Sequence, residues 1–152
     1  MRKTLGLLAF AALATSPAFA EVPNACEIIK VEEINAVAGG TVERVQQQRA
    51  GNPSVCGFMD GRRAAVVVIS IREVQYAAEQ ELQQERESLE KIYKSRVKWI
   101  TGTVGENAFW MPATKQLIFR KGKKIVSVTF SREKNQNETD TATIARVVES
   151  RL

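Results

Sequence analysis

Apolar residues change their spacing along this chain, and the spacing predicts where helices give way to strands. Between Ala25 and Ala38 they recur every three or four residues, as on one side of a short helix, and Gly39-Gly40 follows as a stop signal. From Lys124 to Phe130 two sets of residues alternate with period two, the spacing of a half-buried antiparallel strand. One set is Ile125, Ser127 and Thr129, and the other is Val126, Val128 and Phe130. The run Val66-Val67-Val68-Ile69 predicts a central strand that is covered at least partly on both faces.

The same reasoning predicts two more helices and, besides Lys124–Phe130, five strands, one of which contains the run from Val66 to Ile69. A long helix with a polar middle is expected from Glu73 to about Val97, and a final helix from about Asp140 to Ser150. The segment Trp99–Gly105 is rich in Gly and Thr and is predicted to be a connection. The remaining predicted strands are Thr41–Gln48, Val55–Met59, Ala64–Ile71, Ala108–Met111 and Lys115–Lys121.

Two turn signals indicate how these strands pair. Asp60-Gly61 is the strongest hairpin signal in the chain, and Gly122 joins the last two predicted strands. The predicted order is helix, three strands, long helix, three strands, helix, a loose αβββ-αβββ-α arrangement. Hairpin connections favour an α+β fold with a mainly antiparallel sheet, and we expect the helices to pack on one face of it.

The first twenty residues have the layout of a bacterial signal peptide. Arg2 and Lys3 precede an apolar run from Leu5 to Ala14, and Ala18-Phe19-Ala20 reads as a cleavage site. The run is too short to span a bilayer, which needs roughly 20 apolar residues. The sequence therefore predicts a cleaved segment 1–20, a single domain over residues 21–152 without a transmembrane segment, and a periplasmic or secreted location.

The net charge of the chain says little about its function. Lys+Arg total 22 against 17 Asp+Glu, a net +5; residues 1–20 contain two of the basic residues and no acid, so their removal leaves 20 against 17, or +3. Such a bias concerns solubility and weak steering toward anions.

Cys26 and Cys56 are the two cysteines. In an oxidising compartment an isolated pair in one small domain is expected to form a disulfide, with two free buried thiols as the alternative. Their spacing matches neither a C-x-x-C redox motif nor a zinc site, so we expect a structural bridge.

Candidate catalytic chemistry is sparse. The chain has no His, which excludes Ser-His-Asp and Cys-His catalysis and His metal ligands. Ser131 and Lys134 match S-x-x-K, but the accompanying S-D-N and K-T-G motifs are missing, so we interpret the match as coincidence. We predict neither a cofactor nor a metal site, and we favour a non-enzymatic protein; the alternative is a His-free hydrolase or transferase acting on envelope substrates.

Two surfaces are candidates for binding. The first is a basic hairpin formed by Arg120, Lys121, Lys123 and Lys124, which could meet phosphates or carboxylates of lipid headgroups, envelope polysaccharide or an acidic protein. Its plainer interpretation is an ordinary charged turn that protects a sheet edge. Basic residues here are not interleaved with aromatic ones, so nucleic acid is not expected.

The second candidate surface is aromatic. Trp99, Phe109, Trp110 and Met111 could line an apolar cleft for a small ligand or peptide. The alternative is that they belong to the core and its rim.

Four segments, in their order and spacing, carry a resemblance. They are Ala25-Cys26-Glu27-Ile28-Ile29 with the later Gly39, Ser54-Val55-Cys56-Gly57-Phe58, Val104-Gly105-Glu106-Asn107-Ala108-Phe109-Trp110 and Lys121-Gly122-Lys123-Lys124-Ile125-Val126-Ser127-Val128. Together they resemble secreted bacterial α+β domains that include the extracellular sensor domain of certain serine/threonine kinases and related lipoproteins of unknown function. The resemblance implies a cleft-bearing, non-enzymatic domain that binds ligands. This chain lacks the second cysteine pair of the kinase sensor domain, so signalling is not implied.

These observations lead to one functional expectation. We expect an exported, non-enzymatic envelope protein that binds a small ligand, an anionic envelope polymer or a protein partner.

Overall fold

Seven strands and three helices make up the protein in a computed structural model that describes residues 22–131 and 138–152. The predicted signal peptide lies outside the described residues, as does Lys134 of the S-x-x-K match. None of the helices in these two ranges has the length and hydropathy of a membrane-spanning segment. In chain order the elements are α1 (Val31–Ala38), β1 (Arg44–Arg49), β2 (Ser54–Met59), β3 (Ala65–Glu73), α2 (Ala78–Tyr93), β4 (Lys98–Ile100), β5 (Asn107–Met111), β6 (Gln116–Lys121), β7 (Lys124–Phe130) and α3 (Glu138–Glu149).

The seven strands form one antiparallel sheet in the order β1-β2-β3-β7-β6-β5-β4. The Asp60-Gly61 turn joins β2 to β3, and an oxygen of the Asp60 carboxylate accepts hydrogen bonds from the backbone N–H groups of Arg62 and Ala64 at 2.9 and 3.0 Å. Gly122 joins β6 to β7 with a φ of 57°, in the left-handed region that glycine adopts readily. The α+β class, the mainly antiparallel sheet and both predicted hairpins are confirmed.

Helices cover both faces of this sheet, so the expectation that they pack on one face is wrong. Leu117 and Phe119 of β6 join a core with residues of α1 and α3, whereas Ile118 between them packs with Leu82 of α2. We call the two sides the α1/α3 face and the α2 face. Three consecutive buried apolar residues in one strand require cover on both sides, because successive side chains point to opposite faces.

Two predicted boundaries near α2 are corrected by the structure. The long helix ends at Tyr93 and not near Val97, because Lys94 adopts a left-handed φ of 49°. It begins at Ala78 and not at Glu73, because Glu73 still belongs to β3. The Asn52 side chain accepts a hydrogen bond from the Glu73 backbone N–H at 3.0 Å and donates one to its carbonyl at 2.8 Å. These bonds satisfy the end of the strand and delay the start of the helix.

Residues within the predicted connection Trp99–Gly105 form part of β4, a short edge strand that pairs with β5. The second group of strands therefore contains four members and not three. Three residues are too few to show the alternation by which a strand is recognised in sequence.

The first helix is also shorter than predicted. It begins at Val31, where the sequence pattern suggested Ala25, because residues 25–29 form turns. Its end is as predicted: Gly39 has a φ of 77°, and its N–H donates to the Asn35 carbonyl at 2.9 Å.

A disulfide between Cys26 and Cys56 confirms the predicted bridge, with the two Cα atoms 5.1 Å apart. Cys56 is fully buried in β2, on the α1/α3 face. Next to the bridge, the Ala25 N–H donates to the Ser54 hydroxyl at 2.9 Å. The segment before α1 is therefore attached to the sheet by a covalent bond and a buried hydrogen bond.

The end of the chain is attached to α1 by an ion pair. The Arg151 guanidinium donates to both carboxylate oxygens of Glu33, at 2.6 and 2.8 Å, and to the Ile28 carbonyl at 2.9 Å. The hydrogen bonds from Arg151 are the main reason that the pKa of Glu33 falls from 4.5 to about 2. The same hydrogen bonds raise the pKa of Arg151.

Candidate functional site

The predicted basic hairpin is present between β6 and β7, but its Arg120 already forms an ion pair within the protein. Its guanidinium pairs with the Glu106 carboxylate at 2.5 Å and donates to the Gly122 carbonyl at 3.3 Å. Glu106 in turn accepts a hydrogen bond from the Gly122 N–H at 2.9 Å. An acidic side chain therefore folds over this turn and neutralises part of its positive charge.

The lysines of the hairpin are not equivalent. The Lys121 ammonium donates to the Glu149 carbonyl at 2.9 Å, at the end of α3, where the helix dipole favours a cation. Lys124 stands opposite Glu73 in the pairing of β3 with β7, so an acidic neighbour shares its face of the sheet. Lys123 is exposed, and its ammonium makes no hydrogen bond or ion pair within the described residues. Lys123 is thus the hairpin cation most available to a ligand.

The four residues of the predicted aromatic cleft are divided between the two faces of the sheet. Phe109 packs on the α2 face, and by strand alternation Met111 shares that side, whereas Trp110 joins the core on the α1/α3 face. All three are buried. The structure therefore does not bring all four together around one cleft.

Trp99 is the exposed member of this group, with 41% of its surface accessible on the edge strand β4. Its ring meets Phe109 edge-on at 5.8 Å between centroids, and the Arg86 guanidinium of α2 lies 5.9 Å from its centroid. Trp99 thus helps to hold α2 against the sheet.

A cavity of about 420 Å³ opens at the start of the edge strand β1. Its lining residues are Arg44, Val45, Gln46, Met59 and Arg63. Arg44 stands opposite Met59 in the pairing of β1 with β2, and the turn that follows Asp60 carries Arg63 to the same place. We call this site the arginine cavity.

The arginine cavity brings two guanidinium groups to the border of one concave region. Arg44 and Arg63 are exposed and form no ion pair with any residue in the two described ranges. Arg72, Arg86, Arg120 and Arg151 have acidic partners. The remaining described arginines are also without an ion pair in these ranges, but they do not line this cavity: Arg49, Arg62, Arg96 and Arg146. Two guanidinium groups without an acidic partner beside a cavity form an arrangement that can accept a carboxylate, sulfate or phosphate.

Sequence reasoning missed this site because the two arginines belong to different elements. Thr41–Gln48 was predicted as a polar strand with few large apolar residues, which is typical of an edge strand. The turn signal at Asp60-Gly61 then placed Arg63 at the end of the neighbouring hairpin. A signal was therefore present, but it required knowing that β1 pairs with β2.

A second concave region, of about 400 Å³, lies at the other end of β1. Its lining combines the segment before α1 with the β1–β2 connection: Val22, Pro23, Asn24, Glu27, Gln47, Ala50, Gly51 and Ser54. It is mainly neutral and contains one carboxylate. We call it the N-terminal cavity.

Candidate catalytic and metal-ligating side chains can be located in the described part of the chain. The described residues contain no group of three or more His, Cys, Asp or Glu side chains that could hold a metal ion. Ser131 is exposed directly after β7, and its N–H donates to the Val66 carbonyl at 2.9 Å, but Lys134 lies outside the described residues. Glu33, whose pKa is strongly lowered, has both oxygens bound to Arg151 and serves the fold.

Comparisons with known proteins add no family or relative, since no protein-family model, curated protein or solved structure matches this chain. The resemblance to secreted sensor-like domains stays a prediction. The argument about function therefore rests on the charges, cavities and edges of the described residues.

Proposed function

We propose that this protein is an exported, non-enzymatic binding module that recognises an anionic partner through the arginine cavity. The observation that carries the proposal is the pair Arg44 and Arg63, which border the cavity without an acidic partner among the described residues. A guanidinium group presents several N–H donors in a fixed plane, which suits carboxylate, sulfate and phosphate groups. The proposed partner is an acidic protein, an anionic envelope polymer or a small anionic ligand.

Export is supported by the bridge and by the pattern of the first twenty residues. A disulfide such as Cys26–Cys56 persists in the periplasm or outside the cell, whereas cytoplasmic thiols are kept reduced. We propose a periplasmic or secreted location after cleavage behind Ala20. A ligand-binding role also agrees with the sensor-like domains that the sequence resembles.

The basic hairpin is the second candidate surface. Lys123 supports it, because its ammonium is exposed and has no acidic partner in the described part of the chain. Arg120 and Lys121 argue against it, since both already contact acidic side chains or carbonyls. We therefore rank the hairpin below the arginine cavity.

The test measures binding of heparin and of polyglutamate to three proteins by isothermal titration calorimetry, at low and at high salt. For the arginine cavity the variant is Arg44→Gln with Arg63→Gln, and for the hairpin it is Lys121→Gln with Lys123→Gln and Lys124→Gln. We expect the arginine variant to bind about tenfold more weakly and the hairpin variant to change less, with all affinities falling as salt rises.

The same experiment can reject the proposal. Failure of both polyanions to bind the wild-type protein, or binding that is independent of salt and of both sets of substitutions, would contradict anion recognition. A larger effect of the hairpin variant would move the site to Lys123 and its neighbours.

The enzymatic alternative has its own test. Hydrolase or transferase activity on envelope substrates that disappears in Ser131→Ala or Lys134→Ala would favour the His-free enzyme over the binding module.

A further inference from the structure

The edge of β1 is the longest open edge of the sheet. All six of its residues are exposed, and within residues 22–131 and 138–152 it pairs with β2 alone. An edge strand presents a row of backbone N–H and C=O groups to which another strand can bind. The other edge strand, β4, has three residues, and its Lys98 is held by Glu138 at 2.9 Å.

No described helix covers this end of the sheet on the α2 face. Helix α2 contacts β5, β6 and β7. Its ion pairs nearest to β1 join its Glu81 and Glu85 to Arg72 of β3. Arg44 and Gln46 point to this open side, because they stand opposite Met59 and Gly57, whereas Cys56 and Phe58 point into the core on the other face. A strand added beside β1 would therefore have free space on the α2 face.

The two cavities border β1 at its two ends. In the arginine cavity, Arg44 and Gln46 lie on the α2 face and Val45, opposite Phe58, lies on the α1/α3 face. In the N-terminal cavity, Gln47 stands opposite Cys56 and so points to the α1/α3 face. In strand addition, backbone hydrogen bonds give affinity, and pockets for alternate side chains give specificity.

The charges select the kind of strand. Arg44 and Arg63 border the cavity on one face, and beyond the β1 bulge Arg49 pairs with Val55 on that same face. A second copy of β1 added antiparallel would bring the arginines of the two copies together on one face, which opposes self-association. On the other face, Glu27 in the N-terminal cavity disfavours acidic side chains. An acidic residue is thus favoured at every second position, with neutral residues between.

We infer that β1 binds an extended segment of a partner protein, added as an eighth strand, in which acidic residues alternate with neutral ones. This inference rests on the proposed function and narrows it, because it names the partner as an acidic peptide segment bound through its backbone as well as its charge. Backbone pairing would hold the segment, and the arginine cavity would select its acidic side chains.

The test uses fluorescein-labelled peptides and fluorescence anisotropy with the wild-type protein. The probe alternates Glu and Val over about eight residues, the length of an ordinary strand. One control peptide has Lys in place of Glu, and another keeps the Glu-Val sequence but is N-methylated along the segment, which removes its backbone donors. We expect the Glu-Val peptide to bind at least about tenfold more tightly than either control.

Protein variants separate the arginine cavity from general charge. Arg44→Gln with Arg63→Gln should weaken binding of the Glu-Val peptide about tenfold, whereas Arg96→Gln with Arg146→Gln, which also removes two exposed guanidinium groups, should leave it unchanged. Both variants alter exposed side chains, and their circular dichroism and melting temperature should match those of the wild-type protein.

Four results would overturn the inference. Equal binding of the N-methylated and unmodified peptides would show that charge alone is recognised. Binding of heparin or polyglutamate that depends on Arg44 and Arg63, without binding of the Glu-Val peptide, would also reject strand addition but leave the proposed function standing; failure of every anionic probe would reject both. Dimerisation that the Glu-Val peptide inhibits would identify a second copy as the occupant of the edge.

Discussion

The ion pair of Glu33 with Arg151 links two parts of the chain that are 118 residues apart in sequence. Both side chains are partly exposed, so water and salt screen their attraction, and the pair is worth far less than the lowered pKa alone implies. Glu33 has a folded pKa of about 2 against an ordinary 4.5, so its contribution to stability is complete above about pH 4.5 and is lost as the pH falls through 2.

We therefore predict that Glu33→Gln lowers the free energy of unfolding by about 0.5–1 kcal/mol at neutral pH. The difference from the wild-type protein should shrink as the pH falls from 4.5 toward 2, because the wild-type carboxylate then becomes protonated. Urea denaturation across this range measures it, with Glu32→Gln as the matched control, since Glu32 is exposed on the same helix. A pH-independent difference between Glu33→Gln and wild type would reject this account.

Sequence reasoning was able to predict the disulfide but not this ion pair. Only two cysteines exist, so an oxidising compartment leaves one possible pairing. Glu33 has 16 other acidic residues as competitors for the basic partners, and no spacing rule connects it to the end of α3. Long-range ionic contacts depend on which helices become neighbours, and that is a property of the folded chain.

Helix α2 is joined to the sheet by a narrow apolar contact. Leu82 is the one residue of this helix that is buried, and it packs with Phe109, Ile118 and Ile125. Ionic contacts of Arg72 with Glu81 and Glu85 lie beside it. Such a helix relies on its few apolar contacts, because exposed ion pairs contribute little.

We predict that Leu82→Ala destabilises the protein by about 2–4 kcal/mol, through lost apolar burial and the cavity it leaves. Ile92→Ala, on the same helix but 68% exposed, should change stability by less than about 0.5 kcal/mol. Chemical denaturation measures both values. Equal effects of the two substitutions would show that α2 is not held by Leu82.

The elements that were predicted well have strong local signals, and those that were missed do not. Turn residues at Asp60-Gly61 and Gly122 fix hairpins within a few residues, so β2, β3, β6 and β7 were recognised. Strand β4 is too short for a pattern. The run Val66-Val67-Val68-Ile69 indicated cover on both faces of one strand, but the placing of helices on both faces of the sheet follows only when Leu117, Ile118 and Phe119 are recognised as three consecutive buried positions. Periodicity reports local geometry, whereas layer arrangement depends on all strands together.

In the candidate site, too, features that are local in sequence could be predicted, whereas features that depend on the whole fold could not. The basic hairpin is contiguous in sequence and was therefore visible, but its Arg120 and Lys121 are bound by groups from other parts of the chain. The arginine cavity combines Arg44 with Arg63 through the pairing of β1 with β2, which no motif marks. A run of charges in sequence is thus a poor guide to free charge on a surface, because folding decides which cations meet an acid.

The disulfide connects the part of the molecule that carries β1 to the rest of the sheet. Cys26 and Cys56 are 30 residues apart, and the loop that they close contains α1 and β1. Closing a loop of this length contributes roughly 3–4 kcal/mol by restricting the unfolded chain. Both cavities at β1 lie within or beside this loop, so the bridge also supports the proposed binding edge.

We predict that replacing both cysteines by Ser lowers the free energy of unfolding by about 2–5 kcal/mol. Amide hydrogen exchange should show that α1 and β1 lose more protection than the β6–β7 hairpin, because the bridge attaches the former, whereas the latter is held by its neighbours β5 and β3. Wild-type protein kept reduced by a phosphine reductant, without alkylation, is the matched control and should behave like the double variant. Uniform loss of protection would contradict a local role for the bridge, and unchanged stability would show that the hydrogen bond from Ala25 to Ser54 and the packing of α1 against α3 suffice to hold this region.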